Sequence, residues 1–310
     1  MASEIALLLP VWNDWACVQR LLPELGRELH LRGHVGKVLI IDDSSTVRPP
    51  EDLLAGNIEG VSEVSVVRLA CNLGHQRAIA VGLVELADKP VDYIVVMDSD
   101  GEDKPSDVPI LLDAMQSKSC DVVFAGRLQR SESVVFRTGY SLYRLIHWLL
   151  TGVPVRFGNF SAIKRNALRQ LIWHGSLWNH YAAAVVRSRL SYSVVPTARG
   201  PRYEGRSSLN FSQLVAHGLG ALSVFSETIT ARLFVAAACC ALVAVFCLVP
   251  LVIYGCFSLP MAVLCLGVIG LLAFAIALSG MNLIAQRSFP SFIPARDAKR
   301  FVERSAEEPR

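Results

Sequence analysis

No Asp, Glu, Lys or Arg occurs between Leu233 and Gln286, and that gap constrains the chain more than any other feature of it. At about 1.5 Å per residue the stretch would reach roughly 80 Å as one helix, against a hydrocarbon core of about 30 Å. One crossing leaves too much chain over. Two crossings fit, with a break at "GCFSLP" (Gly255 to Pro260), where Gly, Ser and Pro supply a turn. The other home for such a stretch, a buried hairpin in a soluble core, rarely runs so long without a charge. Arg232 precedes the stretch and Arg287, Arg296, Lys299 and Arg300 follow it, while the turn is uncharged. Positive flanks stay on the cytoplasmic side, so both ends are expected there, with two transmembrane helices in a cytoplasmic (inner) membrane. Such a hairpin also offers a surface for homo-oligomerisation.

The apolar stretch explains the mean hydropathy of +0.41. A formal charge of +3 over 310 residues is close to balance and gives no field for bulk nucleic-acid binding. The opening "MASEIALLLPVWND" has no basic start, and its apolar run is too short for a signal segment. Of eight cysteines, Cys239, Cys240, Cys247, Cys256 and Cys265 lie in the apolar stretch; Cys17, Cys71 and Cys120 show no metal-ligand spacing. Reduced cytosolic thiols are the expectation.

The first two hundred or so residues alternate short apolar runs with amphipathic ones. Strands are expected at 5–11, 37–42, 64–69, 92–98 and 121–126. Trp15, Val18, Leu21, Leu22, Leu25 and Leu29 keep helical spacing. Further helices are expected from His75 to Leu86 and from Pro105 to Met115. Apolar strands separated by helices read as a parallel sheet covered on both faces, with ligands at the carboxyl ends of the strands. The polar clusters fall at those ends: "LPVWND", "IDDSS", "NLGHQR" and "DSDGED".

The last cluster crowds Asp98, Asp100, Glu102 and Asp103 together, and like charges at that density need a cation. A helix–loop–helix calcium site requires Gly at the sixth position and Glu at the twelfth; here Gly101 is fourth and the twelfth residue is Pro109. A sugar-hydrolysing acid/base pair needs carboxylates facing each other across a substrate. A solvated acidic loop remains open, as does a site for Mg²⁺ or Mn²⁺ holding a diphosphate, whose developing charge the metal would neutralise.

Taken together, "LPVWND…IDDSS…NLGHQRAIAVGL…MDSDGEDKP…AGR" resembles the family 2 glycosyltransferases of GT-A fold, and more narrowly the dolichyl- and polyprenyl-phosphate sugar synthases. The resemblance covers about residues 4–210, and the apolar stretch is similar to the C-terminal membrane hairpin of bacterial members. It implies an α/β fold: a Rossmann-like, mostly parallel sheet with helices on both faces, plus a two-helix transmembrane hairpin. The resulting divisions are 1–205 for the catalytic domain, 206–231 for an amphipathic connector, 232–286 for the hairpin and 287–310 for a polar, partly disordered cytoplasmic tail.

The resemblance also implies roles. Pro10, Trp12 and Asp14 would border the base and ribose of a nucleotide-sugar donor, with UDP favoured over GDP. Asp42 would hydrogen-bond the base or ribose, and Asn72, Gly74 and His75 would face the donor. Asp98 and Asp100 would hold the metal, with Glu102 as a further ligand. Ser44 and Val47 stand where the family carries Gly and a second acid. Arg202, with Gly205 and Ser207, matches an element that would close over the diphosphate or meet anionic lipid headgroups.

A polyprenyl phosphate acceptor is already ionised near neutral pH and needs orientation rather than a general base. Arg127, Arg137 and Ser141 match the residues that bind the lipid phosphate in the resembled family, and Arg137 and Ser141 are four apart, on one face of a helix. Arg137 and Arg144 also suit the flank of an interfacial helix. Segment 156–165 lacks the acid that relatives carry, with Asn159 nearby instead. Transfer to a hydroxyl would call for a base; Asp103 is the only near candidate, and capping the next helix is its other use. A membrane scaffold that keeps the fold without turnover is the remaining alternative.

Overall fold

Why the apolar runs become strands, and which face each residue takes, follows from the sheet they build. The structure is a computed structural model that describes residues 4–51, 53, 56–127, 134–154, 157–204, 211–253, 263, 266–277 and 292–303. They fall into two compact units: residues 1–131, 156–224 and 292–310 in one, and 132–155 with 225–291 in the other.

The first unit holds a seven-stranded sheet: β1 (Ile5–Val11), β2 (Gly36–Asp42), β3 (Val61–Arg68), β4 (Tyr93–Val96), β5 (Val122–Arg127), β6 (Ser161–Lys164) and β7 (Tyr192–Thr197). Their order is β3-β2-β1-β4-β6-β5-β7. Neighbours are parallel except that β6 runs antiparallel to both β4 and β5. β1 is central and buried along its whole length, so every position in it is apolar. Its residues alternate between two cores. Leu7 and Leu9 face helix α1 (Trp15–Leu31) and helix α3 (Asp107–Ser117), whereas Ala6 and Leu8 face α2 (His75–Ala87). The expected helical stripe on α1 is the buried one: Trp15, Val18, Leu21, Leu22, Leu25 and Leu29.

The sheet is therefore mixed rather than wholly parallel. β6 and β7 carry little sequence signal: β6 is only "SAIK", and β7 is half-exposed with Pro196 inside it, a residue that an edge strand tolerates. Short helices α5 (Arg165–Leu171) and α6 (Tyr181–Arg187) follow β6, and α7 (Phe211–Ser223) closes the run before the second unit.

The second unit contains α4 (Val134–Thr151), α8 (Ser226–Ile253) and a shorter apolar helix, α9 (Leu266–Ala277). α8 is long and apolar enough to cross a membrane; the best window, Ser226–Val243, has a mean hydropathy of 1.5 and is not buried. It begins well before Arg232 and passes through that residue unbroken, so the expected connector ends inside a helix. Arg232 points at the end of α4, donating to the Leu149 carbonyl at 2.9 Å, where a cation suits the negative end of the helix. The turn expected at Gly255–Pro260 lies outside the described residues.

The polar tail is ordered in part. A short helix, α10 (Pro294–Asp297), and residues up to Glu303 belong to the first unit. Asp297 draws the segment together by accepting from the Ile293 N–H at 3.0 Å, and Arg296 holds its carboxyl down at about 2. Ala298 is fully buried in the core beside α2.

Candidate active site

The ends of β1 to β4 meet at one edge, and register places them. Val11 pairs with Asp42 and Asp42 with Arg68, which brings the polar residues after β1, β2 and β3 side by side. Pro10 joins the next cluster by accepting from the Ser99 hydroxyl at 3.3 Å. Trp12 stands 48% exposed at this edge, a free aromatic face beside the strand ends. Asn13, with a positive φ of 62°, turns its carboxamide oxygen to the Thr46 and Val47 N–H groups at 2.8 and 3.2 Å. It thereby ties the loop after β2 to the end of β1.

The two adjacent aspartates after β2 hold the scaffold. Asp42 is fully buried; its oxygens take the Ser45 N–H and an Arg68 Nη1–H, each at 2.8 Å. Asp42, expected to meet a base or ribose, lies beneath the surface in this arrangement. Asp43 accepts from the Leu73 and Gly74 N–H groups at 2.7 and 2.8 Å, fastening the loop before α2, and Asn72 donates to the Asp43 carbonyl at 3.1 Å. Burial pushes the Asp43 carboxyl up, against the downward pull of those two N–H bonds. The sequence reading passed over Asp43 and Arg68; the doubled Asp at the end of "VLIIDD" was the available signal for the first.

The acidic turn after β4 finds its cations in distant parts of the chain. Asp98 lies 3.2 Å from His75 Nε2 at the start of α2. Desolvation would lower the His75 pKa, but the charges of Asp98, Asp103 and Asp100 together with the bond to Asp98 outweigh it, and the net shift is upward. Asn159 Nδ2 sits 3.1 Å from the same ring nitrogen, so the position that lacks the acid of the resembled family still touches His75. Asp100 accepts from an Arg202 Nη1–H at 2.8 Å, and the other arm of that guanidinium reaches Asp14 at 2.8 Å. Glu102 pairs with Arg199. Asp103 braces the turn from inside by accepting the Asp98 N–H at 2.9 Å; it caps no helix, since α3 starts at Asp107.

Residues 199–203 lie along this turn. Gly200 N–H donates to the Glu102 carbonyl and Tyr203 N–H to the Asp100 carbonyl, both at 2.9 Å. Tyr203 packs its ring on Gly101, hydrogen-bonds Glu24 of α1 and receives the Arg20 guanidinium 4.6 Å from its ring centre. Asp98, Asp100, Glu102, His75, Asp14 and Arg202, expected from sequence as one site, come together here. Arg199 and Tyr203 are the added partners.

Of the residues expected to bind an acceptor, Arg127 ends β5, and Arg137 and Ser141 lie four apart on α4, in the second unit. Ser141 is exposed; the side chains of Arg127 and Arg137, and Ser207 as a whole, lie outside the described residues.

Among the described residues no three His, Cys, Asp or Glu side chains form a ready cage for a metal. Hard carboxylate oxygens on Asp98 and Asp100 nevertheless suit Mg²⁺ or Mn²⁺, which bind through one or two carboxylates and take the rest of their shell from phosphate and water. Arg202 lies on one oxygen of Asp100, and its planar guanidinium also matches a phosphate in geometry.

Over 232 residues the chain is 22% identical to an uncharacterized glycosyltransferase of Bacillus subtilis (strain 168) named YkoT, covering 72% of this chain and 67% of that one. It is 24% identical over 170 residues to the undecaprenyl-phosphate 4-deoxy-4-formamido-L-arabinose transferase of Salmonella paratyphi B, covering 55% of this chain and 50% of the relative. The chain thus spans half the length of that transferase. The fold is shared with glucosyl-3-phosphoglycerate synthase of Mycobacterium tuberculosis, solved with Mn²⁺, UDP-glucose and phosphoglyceric acid: TM-score 0.53 at 17% identity, over 73% of this chain and 80% of that one. The model of glycosyl transferase family 2 matches residues 7–172, more than half of the chain. The chain belongs to that family and is a glycosyltransferase.

Proposed function

We propose that this glycosyltransferase moves a hexose, with inversion, from a nucleoside diphosphate sugar to a polyprenyl phosphate at the cytoplasmic face of a membrane. The observation that carries the reading is the gathering of Asp14, His75, Asp98, Asp100, Glu102 and Arg202 at one sheet edge beside the exposed Trp12. Asp98 and Asp100, with Glu102 as a further candidate, would hold Mg²⁺ or Mn²⁺. That ion supplies charge neutralisation for the leaving diphosphate. Trp12 offers a stacking face for the base, UDP being the favoured donor, and Arg202 offers a fork for the diphosphate.

The acceptor side rests on Arg127, Arg137 and Ser141, and is supported by the relative that acts on undecaprenyl phosphate. A phosphate monoester is its own nucleophile, so the protein needs only to orient it; no base has to take a proton. The apolar helix α8 supports placement at a membrane. Docking of residues 292–303 onto the catalytic unit supports an even number of crossings between them, in keeping with a hairpin.

The test incubates the purified protein in lipid with Mn²⁺, undecaprenyl phosphate and a panel of UDP- and GDP-sugars, with Asp100→Ala as control. Mass spectrometry should find one glycosylated polyprenyl phosphate, absent with the variant. Donor consumption without that product would assign another acceptor, such as a lipid or glycan hydroxyl. No consumption of any donor would favour a scaffold.

A further inference from the structure

β3 is an edge strand, and its carboxyl end is covered by the last described residues of the chain. Ala70 N–H donates to the Phe301 carbonyl at 2.8 Å and Glu303 N–H to the Arg68 carbonyl at 2.9 Å, with Leu69 and Val302 paired antiparallel between them. Trp178 roots this segment, with ring centroids 4.1 Å from Phe292 and 5.4 Å from Phe301. Ala295 N–H donates to the Ile172 carbonyl at 3.0 Å. A polar tail has thus become a structural element of the catalytic unit.

Arg68 is where this element meets the donor edge. Nη1 donates to Asp42 at 2.8 Å, Nη2 to the Ser45 carbonyl at 3.0 Å, and Nε lies 3.0 Å from Glu303 Oε2. The rigid fork is therefore fixed from both sides, by the β2 loop and by the tail. Ser45 carries the connection onward, since its hydroxyl accepts the Asn13 N–H at 2.8 Å, next to Trp12. The loop from Ala70 to Gly74 has two anchors: Phe301 at its start and Asp43 at its end.

We propose that residues 292–303 form a clasp that shapes the donor site, with Glu303 as a positioning residue acting through Arg68. Glu303 holds the guanidinium against Asp42 and Ser45, which sets the loop beside Trp12. The Phe301–Glu303 backbone sets the loop that carries Asn72, Gly74 and His75. The proposal rests on the reading that a nucleoside diphosphate sugar binds at this edge.

The test uses the full chain in lipid and compares wild type with Glu303→Ala, Glu303→Asp and Glu303→Pro. Binding of UDP and GDP with Mn²⁺ is measured by calorimetry, turnover is split into kcat and donor KM, and hydrogen exchange at Ala70 is followed without nucleotide. The Glu303 carboxylate is half exposed, so Glu303→Ala should weaken nucleotide binding only about threefold, in donor KM rather than kcat, with Glu303→Asp recovering part of it. Glu303→Pro also removes the N–H, and should weaken binding by about tenfold while Ala70 loses protection. Lost protection with unchanged nucleotide affinity would overturn the proposal and leave the donor reading standing. A wild-type protein that binds neither nucleotide would sink the donor reading, and the clasp's role with it.

Discussion

Gly74 and Gly101 both sit at positive φ, 87° and 86°, but a methyl group would meet different surroundings at the two positions. At Gly74 a Cβ would meet nothing within 4 Å, so Gly74→Ala costs only backbone strain, roughly 1–3 kcal/mol. At Gly101 it would lie 2.5 Å from the Tyr203 ring, so strain and overlap combine, and the ring that anchors residues 199–203 must move. A double-mutant cycle separates the two effects. Gly101→Ala should cost about 1 kcal/mol less in a Tyr203→Ala background, whereas Gly74→Ala should cost the same in both, read from melting curves. Arg202 gives a second prediction at this scale. It is the shared counter-charge of Asp14 and Asp100, so Arg202→Ala leaves two carboxylates beside the proposed metal position without it. Mn²⁺ alone should bind roughly threefold tighter to the variant, while UDP with Mn²⁺ binds weaker. If both affinities rise together, Arg202 only balances the acidic turn and does not contact the diphosphate.

At the scale of the element, α4 carries a buried histidine, His147, bonded to backbone just beyond the helix end. His147 Nδ1 lies 3.0 Å from the Val153 carbonyl, and Thr151 accepts and donates beside it. Burial lowers its pKa more than the carbonyl bond raises it. Between its folded value and its ordinary value of about 6.5 the unfolded chain binds the extra proton, so stability rises with pH across that window. The contribution is whole above the ordinary value and fades as the pH falls through it. The drop in melting temperature from pH 7.5 to 5.5 should therefore shrink in His147→Asn; an equal drop would place the titration elsewhere. Elements also show how far sequence carries. β1, β2, β4, β5 and helices α1 to α3 were legible because each has a long apolar run or a regular stripe. β6 and β7 were not, because four residues give no period and an edge strand with Pro196 shows half its side chains to water. The acidic turn was legible as a charge anomaly. His75 and Arg202 were named through the family resemblance, but their pairing with the turn was not readable, because Arg202 lies 102 positions from Asp100; nor was the role of Asp43, which acts on backbone N–H groups 30 positions away.

For the whole molecule, the docked tail bears on a question that hydropathy leaves open. Residues 4–127 and 292–303 belong to one folded unit, so the chain between them has to leave and return on the same side of any membrane it enters. On that ground we propose that the chain does not cross once, although α8 is the one helix among the described residues that is long and apolar enough for a span. Two crossings remain, with α9 inside the second, or none, with α8 and α9 lying at the surface. Single cysteines in a chain otherwise freed of them distinguish these arrangements in sealed vesicles. Lys118 and Lys299 are both exposed in the catalytic unit, and Ser258 lies between the two apolar helices. Lys118→Cys and Lys299→Cys should react with an impermeant thiol reagent from the same side, and Ser258→Cys from the opposite one. Labelling of all three from one side would leave the apolar stretch at the surface and remove the hairpin. Labelling of positions 118 and 299 from opposite sides would show that the tail does not dock in the membrane-bound protein, and the clasp at Arg68 would have no basis there.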